Sequence, residues 1–482
     1  MSPVVADYHA PHRSFRTFVR AVTATALFRI WPTLIFMGAW ALMVVMVNRN
    51  TSLEFTFPAT MVTVLGVLLG LTLSYRTSSA YDRYWEGRRL WSQIILASRS
   101  WARMVWIHCP DSLSATAIED GDARALDETR AVMEKATMVR MALAYAVAVK
   151  HYLRGEEGIF YEDLYHLVRF IPSLNLPSSI PSGVDANISS DPSRRQVHKQ
   201  GSTSSSHILN ESTLYERSST PSSTEKAEHG SPCSLHPAHN PPKFRWADYF
   251  PFKYLVNPSR RQRAAIRRQD LKAKERAMAE REGGGVGQNV PLEVNMFMSV
   301  WVAQMQRRKT IDVPTINSLL FSIQQMAEAL VGLERILTTP IPWSYNAHIW
   351  GVTWVYCLLL PFQLYGAGFK WLTIPGTMLV AYIVIGFAEI GGEIENPFGY
   401  DANDLALDTF TEYIIAKELA AITARPFSSP DTWVFSAQNK AFGEEGAGEA
   451  QYRGLEAMRR GLAGMGRGEK GDRGKSEGLE MV

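Results

Sequence analysis

The sequence predicts an all-α membrane protein in which four transmembrane helices carry a bundle of cytosolic helices, and three observations lead there. Four stretches, Ile30 to Val47, Phe55 to Ser74, His348 to Phe369 and Leu372 to Ile390, are apolar and nearly free of charge. Each is about long enough to cross a ~30 Å hydrocarbon core as a helix. The Phe55 stretch, moreover, does not end in a loop. From Tyr75 and Arg76 it runs on as a basic, aromatic helix bearing Arg83, Glu86, Arg88 and Arg89, with Trp85, Trp91 and Trp101 along it. Finally, the 482 residues are 46% apolar with 13 Trp, yet the mean hydropathy is −0.10. Long apolar spans diluted by a polar insert produce that average, although the length alone would also suit two or three soluble domains.

In chain order, residues 1–76 hold an N-terminal arm and the first two spans. Arg13, Arg16 and Arg20 face a single acid, Asp7, in the arm. An organelle transit peptide shares that Arg-rich pattern, but a cytosolic arm obeying the positive-inside rule fits the Arg76–Arg89 end of the second span as well. Residues 77–171 read as cytosolic helices. Past Glu119, Val132, Ala136, Val139, Leu143 and Val147 recur at helical steps, while Glu134, Lys135 and Arg140 mark a wet side. This amphipathic helix is expected to stack on the helix from Ser79 to Met104.

Residues 172–289 differ in kind, with runs such as GSTSSS, SSTPSSTEK and HPAHNPP. So little apolar surface cannot offset the entropy of ordering, so a disordered low-complexity insert is expected. Its histidines, His229, His236 and His239, are irregularly spaced and read as solvent-exposed. Its basic run before Glu282 suits either anionic lipid headgroups or plain solvation. Cytosolic helices resume over 290–340, where Ile316, Leu320, Ile323, Met326, Leu330 and Leu333 form a stripe to bury. Residues 341–392 carry the third and fourth spans, 393–425 an acidic segment and a following helix, and 426–482 a largely disordered tail.

The net charge of +3 is too mild to argue for nucleic acid. Cys109, Cys233 and Cys357 lie far apart and suggest free thiols rather than a disulfide framework or a zinc site. No HExxH, phosphate-cradling glycine loop, dinucleotide fingerprint or paired nucleophile and base is visible, so the chain does not read as an enzyme. Two patterns do point to chemistry. Val67, Leu71 and Tyr75 share one helix face, with Gly66 and Gly70 beside them. That spacing suits a lipid-facing stripe with glycines against a neighbour, or apolar rings constricting an ion path. The second is the run Glu393, Glu395, Asn396, Asp401, Asn403, Asp404 and Asp408, oxygen-rich around Gly399. It suits a hard cation such as calcium, without EF-hand spacing; an acidic cap bonded to nearby backbone suits it equally.

The run SYRTSSAYDRYWEGRRLWSQIILASRS, with LERILTTPIPWSY at Leu333 to Tyr345 and EIENPFGYDANDLALD at Glu393 to Asp408, resembles the bestrophin family in its bacterial, fungal and plant branch. The resemblance covers roughly residues 10–170 and 290–420. It implies a ring, a pentamer, passing chloride or other small anions passively through an apolar neck lined by Val67, Leu71 and Tyr75. Tyr75 adds a hydroxyl where the family usually has Phe. A second constriction is implied near Thr315 or Ile316. A calcium clasp like that of animal members would use the carbonyls of Glu393 and Asn396 and the carboxylates of Asp401 and Asp404. Ala402 and Asn403 depart from the acidic animal pattern toward bacterial relatives, in which calcium gating is not expected. The alternatives are a cation channel of the same fold and a non-conducting membrane scaffold or regulator. The implied partners are small anions, membrane lipid and further copies of the chain; the implied location is the plasma membrane, or else an organelle membrane.

Overall fold

The computed structural model describes residues 26–51, 59–114, 120–156, 158–172, 235–241, 289–401, 403–424 and 429–440, with isolated positions at 174, 176 and within 454–463. Two compact units divide the chain, 1–420 and 421–482. Among the described residues the structure is helical, apart from one isolated bridge.

Helix α1 (Ala26–Asn50) opens the membrane group. Helix α2 (Ala59–Arg103) is a single 45-residue helix, about 67 Å long at 1.5 Å per residue. It therefore begins among apolar helices and ends far outside any hydrocarbon core. Helix α7 (Trp343–Gly366) and helix α8 (Thr373–Glu393) complete the group, joined by a 3-10 turn at Lys370–Leu372. Among the described residues, three segments are long and apolar enough to cross a membrane: Arg29–Asn50, Trp343–Gly366 and Lys370–Glu393. The remaining expected span, Phe55 to Ser74, coincides with the start of α2, and Phe55 to Pro58 lie outside the described residues.

Their shared core gathers Ile30, Leu34 and Met37 from α1, Leu69 and Leu73 from α2, Ile349, Trp350 and Cys357 from α7, and Ala381, Ile385 and Ala388 from α8. The Trp40 indole N–H donates to the Leu358 carbonyl at 3.0 Å, tying α1 to α7. At Gly38 an added Cβ would stand 2.9 Å from the Met378 sulfur, so the missing side chain lets α8 approach α1.

The soluble group joins the far half of α2 to α3 (Gly121–Leu153), α4 (Tyr165–Val168), α5 (Val290–Arg308) and α6 (Val313–Thr338). A π-helical turn, Met104–His108, closes α2. Asp120 caps α3 by accepting from the Asp122 amide. The expected one-sided stripe on α3 needs correcting. Val132 is exposed, Lys135 is buried, and from Ala144 to Leu153 every residue is buried, so the second half of α3 is surrounded rather than amphipathic. Lys135 survives burial because its Nζ reaches the Cys109 carbonyl at 2.8 Å and Asp111 at 2.6 Å. On α6, Ile316, Ile323, Met326, Leu330 and Leu333 are buried as expected, while Leu320 is exposed. Cys109 and Cys357 are buried free thiols; Cys233 lies outside the described residues.

Most of the insert, 172–289, lies outside the described residues, as do its basic run and His229. The exception is 235–241. His236 forms a parallel bridge with Tyr161, its amide donating to the Phe160 carbonyl and its carbonyl accepting from the Glu162 amide, at 2.9 and 3.0 Å. The His236 ring also packs on Tyr161, so it is not simply solvated. After α8, residues 409–416 form a π-helix that continues into α9 (Lys417–Thr423). In the second unit, α10 (Pro430–Val434) is capped by Ser429 accepting from the Asp431 amide.

Candidate functional site

The first half of α2 has two faces. Val67, Leu71 and Tyr75 are 69%, 70% and 67% exposed, whereas Leu69 and Leu73 sit in the membrane-group core at 1% and 6%. Gly66 abuts the Tyr356 ring, while Gly70 faces open space. Among the described residues, the stripe singled out by spacing is thus left uncovered.

Thr315 and Ile316, the expected second constriction, take the opposite position. They are 6% and 5% exposed, in the core of the soluble bundle, and so line no surface of the chain. The first turn of α6 turns them toward its neighbours and leaves Val313 as its exposed apolar residue.

Arginines fix α2 to the rest of the molecule just past the stripe. The buried Arg76 donates through Nη1 to the Ala388 carbonyl at 2.6 Å, near the C-terminal end of α8. Arg83 donates to the carbonyls of Ile336 and Thr339, at the end of α6, and through Nε to that of Glu395 at 3.1 Å. Carbonyls at a helix C-terminus, such as those of Ile336 and Thr339, lack partners and carry partial negative charge, which the Arg83 guanidinium satisfies. The Glu395 carboxylate in turn accepts from the Ile341 amide at 2.9 Å, where α7 is about to begin. Gly87 completes the joint: a Cβ there would lie 3.2 Å from the fully buried Phe398 ring. The Tyr-Asp-Arg-Tyr-Trp-Glu-Gly run and the Asn-Pro-Phe-Gly run are therefore two halves of one contact.

The acidic segment lies against this joint. Arg29 of α1 places Nη2 3.0 Å from Asp401 Oδ1 and 3.5 Å from Glu393 Oε1. Asn403 Nδ2 donates to the same Glu393 oxygen at 3.0 Å, and Asp404 Oδ2 accepts from the Asp401 amide at 2.7 Å. Burial pushes the Asp404 carboxyl up to about 7, with the charges of Asp401 and Glu393 adding to it. Calcium asks for about six to eight converging oxygens. Here the carboxylates of Glu393 and Asp401 are taken by a guanidinium, and that of Asp404 by a backbone amide. Among the described residues no three acidic, histidine or cysteine side chains are placed to hold a metal. The carboxylates of Glu393, Asp401 and Asp404 are thus bonded to Arg29, Asn403 and a backbone amide, in the manner of an acidic cap.

A buried charge network, not anticipated from the sequence, joins α3 to the same segment. Lys150 Nζ is 2.6 Å from Asp163 and 3.0 Å from Asp408, and Arg154 reaches both oxygens of Asp408 at 3.2 and 3.1 Å. His151 lies between Glu156 and Asp163. Burial alone would raise the Asp408 carboxyl, but Arg154 and Lys150 hold it well below the usual range. His239 from the insert comes within 3.3 Å of Asp408 and edge-on to Tyr400, whose hydroxyl donates to Glu156 at 2.6 Å. The sequence signal that marks this network is Lys150-His151 directly after the charge-free run Met141–Val149.

The model of the bacterial and fungal bestrophin proteins matches residues 7–204 and 252–419. A voltage-dependent anion channel-forming protein of Nostoc sp. is 25% identical over 71% of this chain and 70% of its own. One of the same description from Synechocystis sp. is 24% identical over 74% and 75%. A bacterial bestrophin homologue from Klebsiella pneumoniae, solved by crystallography, is 16% identical over 83% of this chain and 99% of its own, with a TM-score of 0.48. With a family match over most of its length and three helices fit to cross a membrane, the chain belongs to the bacterial and fungal bestrophin family and is an integral membrane protein.

Proposed function

We propose that the protein is a passive anion channel, not an enzyme, in which identical subunits form a ring around the exposed face of α2. Five copies would stack Val67, Leu71 and Tyr75 into successive apolar rings. A narrow apolar stretch holds water poorly, so it closes a path to ions without a charged gate. The observation that carries the reading is the contrast on one helix, Leu69 and Leu73 locked in the core and Val67, Leu71 and Tyr75 left bare. The relatives described as anion channel-forming supply the ion class, with chloride and other small anions as cargo. The Tyr75 hydroxyl would give the last ring a hydrogen-bond donor for a passing anion. The plasma membrane is the proposed location.

Purified protein in liposomes, assayed for chloride and for sodium flux, tests this directly. Chloride flux with little sodium flux is expected. Sodium flux alone would make it a cation channel of the same fold, and no flux of either ion would make it a scaffold.

A further inference from the structure

Glu393 occupies an awkward place. It ends α8, where the helix dipole disfavours negative charge, and its side chain is only 4% exposed. A nearly buried carboxylate at that end needs a cation. Asp401 adds a second negative charge close by, on the turn that follows.

We infer that Arg29 is a built-in cation for this loop, its guanidinium standing where a bound divalent ion would otherwise be required to hold Glu393 and Asp401 together. The membrane packing brings it there. Ile30, the next residue, lies in the core with Ile385 and Ala388 of α8, and a Cβ on Gly386 would stand 3.8 Å from the Ile30 side chain. Arg29 thus reaches the end of α8 as a consequence of how α1 and α8 pack, so little freedom is lost in forming the pair. A planar guanidinium can serve two carboxylates at once, which suits its positions at 3.0 Å from Asp401 and 3.5 Å from Glu393. Asn403 donates to the same Glu393 oxygen that faces Arg29, and Asp404 Oδ2, a further oxygen that a metal could use, accepts from the Asp401 amide. The loop is consequently held shut at any calcium level. Removing the guanidinium would leave two carboxylates facing each other across a gap that a divalent ion could fill.

The test uses the full-length protein in detergent, with calcium titration calorimetry, thermal melting and hydrogen exchange over residues 393–404. None of these depends on ion flux, so they succeed or fail separately from the channel reading. The parent is expected to bind no calcium there and to melt at the same temperature in chelator and in calcium. Arg29→Gln should melt lower in chelator, exchange roughly tenfold faster in the loop, and regain much of both with calcium but not with sodium. Arg29→Lys should resemble the parent in needing no calcium. If Arg29→Gln fails to fold, Asp401→Asn, whose carboxylate is half exposed, serves in its place: faster loop exchange is expected. Stoichiometric calcium binding by the parent overturns the inference. So does a variant that exchanges like the parent in chelator, or an Arg29→Gln protein on which calcium has no effect.

Discussion

Leu71 and Leu69 differ by two positions and by almost everything else. Leu69 is 1% exposed and packed among side chains of α1, α7 and α8, so Leu69→Ala leaves a cavity. Such truncations cost about 2–5 kcal/mol. Leu71 is 70% exposed, so its own chain loses less than about 1 kcal/mol when it is truncated. In the proposed ring, however, Leu71→Ala strips the isopropyl group from every subunit at one level. The middle of the neck then widens and wets, and channels conduct without stimulus. The assay is chloride leak per folded channel in liposomes, normalised to oligomer recovered from gel filtration, with a thermal melt beside it. Leu71→Ala should leak while melting near the parent; Leu69→Ala should melt lower without leaking more. A parent-like Leu71→Ala together with a leaky Leu69→Ala would refute the assignment of the pore face. If neither the parent nor either variant passes any ion, the channel reading fails as a whole.

Two further predictions concern the acidic segment after α8. Asp408→Asn should destabilise the soluble bundle by about 3 kcal/mol, because it leaves Arg154 without its carboxylate in a buried network. The Asp408 carboxyl is held below its ordinary value of 3.8, so its contribution is complete above that pH and fades as pH falls through the folded value. Melting of the variant should accordingly depend less on acid than that of the parent. Asp404 has the opposite sign, since burial raises it from 3.8 to about 7. The folded state prefers its protonated form, and stability is lost as pH rises between those values. Asp404→Asn should therefore melt higher than the parent at about pH 8, by the equivalent of up to about 4 kcal/mol, and converge with it near pH 4. A variant that tracks the parent across that range would show the carboxyl to be ordinary.

The membrane helices and the bare stripe were legible because both are local periodic signals. Charge-free runs mark α1, α7 and α8, and a four-residue step places Val67, Leu71 and Tyr75 on one face whatever surrounds the helix. What escaped detection depends on partners far along the chain. Lys135 sat among apolar residues at a position that periodicity assigns to solvent, and only the arrival of residues 109–111 gives it partners. The far half of α3 is rich in alanine, with Ala142, Ala144, Ala146 and Ala148 all buried. Alanines on several faces permit close neighbours all round without writing a stripe. The burial of Thr315 and Ile316 could not be read locally either, since the exposed side of the first turn of α6 is decided by its packing neighbours. Arg29 has no motif at all: its role appears only once α1 lies along α8 and brings it to Asp401.

The arginines also set limits on how the exposed stripe of α2 can move. Arg76 and Arg83 hold α2 to carbonyls at or near the C-terminal ends of α8 and α6, and Arg83 alone engages three of them. Hydrogen bonds from charged donors contribute about 1.5–3 kcal/mol each, so releasing Arg83 costs more than thermal motion supplies. Between Tyr75 and Arg83 the helix is unbroken, without proline, glycine or a π-bulge to kink it. In the proposed ring, displacement of the loop carrying Glu395 and Phe398 would therefore be passed to the stripe as a shift of the whole helix, which Arg83 and Gly87 join to that loop. Because Arg29 holds the same loop to α1, the first and second helices must move together or lose that pair.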